Sequence, residues 1–148
     1  MNHSIAIGSD HAGYALKSLL ADELRAAGHD VIDCGANNET DSVDYPDFGV
    51  AVGAAIADTR ASLGIVVCGS GIGISIAANR NPAVRAALCT SGLMAKLARE
   101  HNDANVLALG SRIIGVETAR DCVAQFLSTR FAGGRHTARR DKLSEVPR

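Results

Sequence analysis

The chain has no tryptophan, two tyrosines and three phenylalanines, so aromatic rings supply only 3% of its 148 residues. Because 47% of the residues are hydrophobic, any core must be assembled from Ala, Val, Leu and Ile. No apolar run approaches the ~20 residues needed to span a bilayer. The opening Met1-Asn2-His3-Ser4 lacks the basic start and long apolar stretch of a signal peptide. The cysteines at 34, 68, 89 and 122 include no Cys-x-x-Cys pair and no disulfide-scaffold density. That usage suits a reduced cytoplasm. The histidines at 3, 11, 29, 101 and 136 include no close pair of the metal-binding kind, so no metal site is expected. A length of 148 residues fits one domain, 1–148, around one core.

Charge is sparse and unevenly placed. From Arg130 onward, Arg130, Arg135, Arg139, Arg140, Lys142 and Arg148 face Asp141 and Glu145, a local +4 that leaves −5 on the remainder. This basic tail, 130–148, has no stacking aromatic apart from Phe131 and no repeat, which disfavours nucleic acid as a partner. A solvated terminus is the ordinary explanation. Recognition of a small phosphate by two or three arginines is the alternative.

Strand and helix signals alternate along the chain. Apolar strands are expected at Ser4–Gly8, Asp30–Asp33, Leu63–Cys68, Val84–Leu88 and Asn105–Leu109. Helical patterns cover Tyr14–Ala27, Tyr45–Ala57, a short piece from Gly73 to Asn79, Gly92–Glu100 and Val116–Thr129. Such alternation with short connections implies a parallel sheet covered on both faces. Sheets of this kind bind ligands beyond the carboxyl ends of their strands. The residues there are Asp10 and His11 after the first strand, Cys68 and Ser70 after the third, and Gly110-Ser111-Arg112 after the fifth. Asp10-His11 can equally cap the next helix, and His101 can be a favourable partner for a helix dipole.

The third junction is the most informative. Leu63-Gly64-Ile65-Val66-Val67 runs into Cys68-Gly69-Ser70-Gly71-Ile72-Gly73, a glycine-rich turn before a helix. Free amides and the helix dipole make such turns anion sites. A Walker loop would need Lys at Ser70, a dinucleotide fingerprint Gly at Ile76, and a cysteine-phosphatase loop Arg at Ile74. The loop therefore attracts anions but carries no cation of its own. Cys68 is either a buried structural thiol or a nucleophile or base whose pKa that same field lowers.

Several segments together resemble ribose-5-phosphate isomerase type B, within the ribose/galactose-phosphate isomerase family. They are Gly8-Ser9-Asp10-His11-Ala12-Gly13, Asp44-Tyr45-Pro46-Asp47, Cys68-Gly69-Ser70-Gly71-Ile72-Gly73, Ile76-Ala77-Ala78-Asn79, His101-Asn102-Asp103-Ala104-Asn105, Gly110-Ser111-Arg112 and Gly133-Gly134-Arg135-His136. The resemblance implies a Rossmann-like three-layer α/β/α sandwich with a five-stranded parallel sheet. It also implies catalysis without metal or organic cofactor, in a homodimer or dimer-based homotetramer whose sites draw residues from two chains. Cys68 would be the base that moves a proton between C2 and C1 of the open-chain sugar. Residues Gly69, Ser70, Gly71, Ile72 and Gly73 would hold the enediolate oxygen, with the Ser70 hydroxyl assisting. His101 would be the acid that opens the ring, Asp10 and His11 would hold the sugar, and Asn102 would support the enediolate side. Arg112, Arg135 and Arg139 would grip the phosphate. The family often has Thr where this chain has Ser70, and one branch has a glutamate base where this chain has Ile74. The apolar Ile74 beside Cys68 places the chain in the cysteine branch.

The implied activity is interconversion of D-ribose 5-phosphate and D-ribulose 5-phosphate, in the pentose phosphate pathway and the cytoplasm. The same chemistry on allose 6-phosphate or galactose 6-phosphate is the nearest alternative, decided by pocket length. A non-catalytic sugar-phosphate-binding module is the next. Catalysis requires the Cys68 thiol to line a cleft shared with His101.

Overall fold

A computed structural model describes residues 1–145. Arg148, counted above in the basic tail, lies outside the described residues. The elements follow in the order β1 (Ser4–Ser9), α1 (Tyr14–Ala26), β2 (Asp30–Asp33), α2 (Tyr45–Ala57), β3 (Leu63–Cys68), α3 (Ile72–Asn79), β4 (Ala86–Leu88), α4 (Gly92–Asn102), β5 (Val106–Gly110), α5 (Val116–Ser128) and α6 (Arg135–Ser144). The five strands form one sheet in the order β2-β1-β3-β5-β4. Every pairing is parallel. The α/β sandwich expected from the alternating pattern is therefore the observed fold.

Alternation along each strand sorts side chains between two cores. Ile5, Ile7, Ile65, Val67, Leu107 and Leu109 point to one face and meet Leu16, Leu20 and Leu24 of α1, Ala95 and Ala98 of α4, and Phe126 of α5. Ala6, Val66, Cys68, Val106 and Ala108 point to the other and meet Val52, Ala55 and Ile56 of α2 and Ile74 and Ala78 of α3. Small residues bring α2 close to α3: a Cβ on Gly49 would sit 2.9 Å from the Ala77 Cβ. A nearly aromatic-free composition is thus matched by close helix packing, with Phe126 as the one large ring fully inside among the described residues.

Two features depart from the sequence reading. The edge strand β4 begins at Ala86 instead of Val84. Val84 turns into the second core, while the Arg85 amide donates to the Asn105 side chain at 2.7 Å. The basic stretch contains a helix, α6, with none of its residues buried. Apolar periodicity could not signal it, because it has no apolar face to bury.

The sheet order sets the site. From β1 the chain moves outward to β2 and then returns to place β3 on the other side of β1. Connections leaving the carboxyl ends of β1 and β3 therefore diverge and leave a crevice between them.

Candidate active site

Cys68, the last residue of β3, is 4% exposed and lies at the floor of that crevice. The cleft measures about 630 Å³ and is lined by Asp10, Tyr45, Cys68, Gly69, Ser70, Ile72, Gly73, Ile76, Arg112 and Ile113. The Gly71 amide donates to the Cys68 Sγ at 3.2 Å. That contact requires Gly71 at φ 78°, and a Cβ there would collide with Leu88 and the Leu109 carbonyl carbon. The sulfur stands just before the first turn of α3.

The rest of the loop is built for an anion. Among the described residues, no acceptor takes the amide hydrogens of Gly69 and Ser70. The Ser70 Oγ accepts from the Ile72 amide at 3.1 Å, which leaves its own proton available to donate. The missing cation arrives from β5. Cys68 pairs with Gly110 in register, and the Arg112 amide donates to the Gly69 carbonyl at 2.9 Å. The Arg112 guanidinium then lies over Gly69, with Nη1 3.3 Å from where a Cβ would stand. Ser111 fastens the three loops together, its Oγ donating to the Ala12 carbonyl at 2.8 Å while its amide donates to the Cys68 carbonyl at 2.9 Å.

Asp10 follows β1, is 6% exposed, and accepts from the Gly13 amide at 3.0 Å while lining the cleft. It thus caps the turn and faces the site at once. The His11 Nδ1 accepts from the Val43 amide at 3.1 Å. A neutral His11 therefore carries its proton on Nε2, the nitrogen left for a ligand. The loop bearing Val43 is anchored by Lys17, a 1% exposed cation whose Nζ donates to Asp33 Oδ1 at 2.9 Å and the Ala36 carbonyl at 2.7 Å. Sequence reading passed over Lys17 because a lysine within an apolar stripe carries no site signal. Tyr45 was missed as well; its ring packs against Gly73, leaving no space for a Cβ there.

His101 and Asn102 do not share this cleft within one chain. They are the last residues of α4, and α4 delivers the chain to the amino end of β5. Cys68 lies at the carboxyl end, opposite Gly110. At about 3.3 Å per residue, β5 alone separates the two ends by about 13 Å. His101 stacks on His136, with ring centroids 4.4 Å apart and planes inclined by 13°. Burial first, then the nearby His101, Arg135 and Arg139, hold the His136 pKa below its ordinary value. Arg135 and Arg139, one turn apart on α6, are exposed beside this pair. The expected residues thus fall into two groups, Asp10, His11, Cys68–Gly73 and Arg112 at one rim, and His101, Asn102, Arg135 and Arg139 at the other. Among the described residues, no three His, Cys, Asp or Glu side chains converge as a metal site requires.

The ribose/galactose isomerase family model matches residues 5–143. The chain belongs to the ribose/galactose isomerase family. It is 41% identical over 142 residues to ribose-5-phosphate isomerase B of Escherichia coli, covering 96% of this chain and 95% of that one. Its fold is similar to that of ribose-5-phosphate isomerase B from Thermotoga maritima, with a TM-score of 0.95, 49% identity, and 99% and 100% of the two chains covered. The Clostridium thermocellum ribose-5-phosphate isomerase B is 52% identical, with a TM-score of 0.93 and 95% of each chain covered. As a member of this family the chain is a sugar-phosphate isomerase. No described helix is long and apolar enough to cross a membrane.

Proposed function

We propose that this chain interconverts D-ribose 5-phosphate and D-ribulose 5-phosphate through an enediolate, with Cys68 as the base. The observation that carries the reading is the Cys68 sulfur, held by the Gly71 amide at the floor of the crevice beside two amides that have no acceptor among the described residues. The names of its relatives in Escherichia coli and Thermotoga maritima supply the substrate class.

The chemistry follows from the groups present. The Cys68 thiolate takes the C2 proton of the open-chain aldose, the C2–H electrons form the C1–C2 double bond, and charge moves onto O1. The amides of Gly69 and Ser70 and the Ser70 hydroxyl stabilise that oxygen, a charge that exists only after proton removal, so they lower the barrier instead of only tightening binding. O2 then gives its proton to O1, C1 takes the proton back from the thiol, and O2 becomes the ketose carbonyl. Asp10 and the His11 Nε2–H hold the sugar, His101 supplies the proton that opens the ring, and Asn102 supports the enediolate. Arg112, Arg135 and Arg139 bind the phosphate, and remote binding of that kind positions C1 and C2 over the sulfur.

Because the two residue groups occupy opposite rims of one chain, the working site is formed by two chains, in a homodimer or a dimer-based homotetramer. Ile72, Ile76 and Ile113, 54%, 59% and 61% exposed around the cleft, are the apolar surface that a second copy would cover. Four free cysteines suit a reducing cytoplasm, and the substrate pair is that of the pentose phosphate pathway. The test is turnover of purified protein on ribose 5-phosphate, allose 6-phosphate and galactose 6-phosphate. Cys68→Ala is expected to lower turnover of ribose 5-phosphate by roughly 10²–10⁴-fold, with the fold intact. Full activity of that variant would reject Cys68 as base, and faster turnover of a hexose phosphate would reassign the substrate.

A further inference from the structure

Helix α6 is attached to the rest of the molecule without an apolar face. None of its ten residues is buried, and so short a helix does not persist in water by itself. Polar contacts hold it instead. Arg140 Nη1 donates to Asp103 Oδ2 at 2.6 Å, and its guanidinium lies 4.8 Å from the Phe131 ring centre. Arg85 Nη1 donates to the Ser144 Oγ at 3.3 Å.

Both of these arginines, Arg140 and Arg85, converge on Asp103. This residue ends α4 in the left-handed conformation, at φ 48°. Its Oδ1 accepts from Arg99 at 3.2 Å, and its Oδ2 from Arg85 at 3.4 Å as well as from Arg140. The carboxylate is 20% exposed, and the three guanidinium groups are between 15% and 26% exposed. The Asp103 carboxylate therefore stands among three half-sequestered cations, from just before β4, from α4 and from α6, with Asp141 as a second carboxylate on Arg140 alone. Burial pushes the Arg85 pKa down, Asp103 opposes that, Arg140 and Arg99 push it further down, and Asp141 opposes them last and least. Without the carboxylate the three cations would repel one another and α6 would lose its main tie.

We propose that Asp103 is a positioning residue that docks α6 on the end of α4, so that Arg135 and Arg139 are preset for the phosphate of the sugar beside His101. The stacked His101 and His136 rings bridge the same joint. The proposal rests on the reading above that these arginines bind phosphate. It makes Asp103 an affinity determinant that never touches substrate.

Asp103→Asn keeps the side-chain shape and the left-handed backbone, which Asn tolerates, and removes the charge together with one of the two acceptor oxygens that hold the arginines. Arg140→Leu removes the tie from α6, with its contacts to Phe131 and Asp141, and leaves Arg85 and Arg99 on Asp103. Both are expected to raise hydrogen exchange of residues 135–144 and KM for ribose 5-phosphate by about tenfold each, with exchange of residues 63–79 unchanged and kcat within about threefold of wild type. The double variant is expected to be no worse than Asp103→Asn, because Arg140 acts through Asp103. Asp141→Asn, which removes the other carboxylate on Arg140, is expected to change neither readout. Unchanged exchange in Asp103→Asn, or loosened α6 with unchanged KM, overturns the proposal. If wild-type protein does not convert ribose 5-phosphate, the functional reading fails separately, and affinity for inorganic phosphate measured beside the exchange still decides the role of Asp103.

Discussion

Mixing two inactive variants tests the placement of the site most directly. Cys68 sits at the carboxyl end of β3 and His101 at the opposite rim, about 13 Å of strand away. If each site takes Cys68 from one chain and His101 from the other, Cys68→Ala and His101→Ala homodimers each have two dead sites. A mixed dimer is different: one of its sites combines both substitutions, and the other receives an intact Cys68 and an intact His101. Random exchange of equal amounts gives mixed dimers half the time, each with one working site, so about a quarter of wild-type activity should return. The assay is ribulose 5-phosphate formation after partial unfolding and joint refolding of the two variants, with each refolded alone as control. Recovery near a quarter supports shared sites. Mixtures that stay as inactive as their parents, while the mixed dimers are seen by mass spectrometry, refute them.

Three further outcomes follow from burial and charge. Asp33→Ala leaves the 1% exposed Lys17 cation without its carboxylate and is expected to cost about 3–5 kcal/mol in urea unfolding, while Lys17→Met, which leaves only the 38% exposed Asp33, costs less. The reverse ranking would show that the ion pair is not what holds the loop. Burial first, and then their basic neighbours, lower the pKa values of His29 and His136. Below about pH 6.5 the unfolded chain therefore binds protons that the native chain refuses, and stability falls as pH drops through that range, with no contribution from these groups above pH 7. His29→Gln should flatten the melting temperature between pH 5 and 7, and an unaltered slope would contradict this. Burial pushes the Cys89 thiol up to about 12, so iodoacetamide at pH 8 should leave Cys89 unlabelled until the chain is unfolded.

Much of this molecule is readable from its residues, and the exceptions share a cause. Strands β1, β3 and β5 announce themselves because each is an apolar run flanked by turn residues and buried on both faces. The rule that ligands bind beyond strand ends then selects Asp10, Cys68, Ser70 and Arg112, all of which line the cleft. His101 escapes that rule: it is close in sequence to β5 but at its amino end, so the return direction of α4, and not proximity along the chain, decides its rim. Helix α6 was invisible because its contacts are charges meeting a distant Asp103 instead of a periodic apolar face. Lys17 and Tyr45 belong to the same class, since only tertiary contact with Asp33, Ala36 and Gly73 gives them a role.

The packing of Tyr45 on Gly73 has a practical side. With no indole anywhere in the chain and a single other phenol, Tyr14, native phenol emission comes from two rings only. One of them borders the cleft beside the sulfur, so a sugar entering there reports its own arrival as an optical signal, with no label attached and with a Tyr14→Phe variant to isolate it.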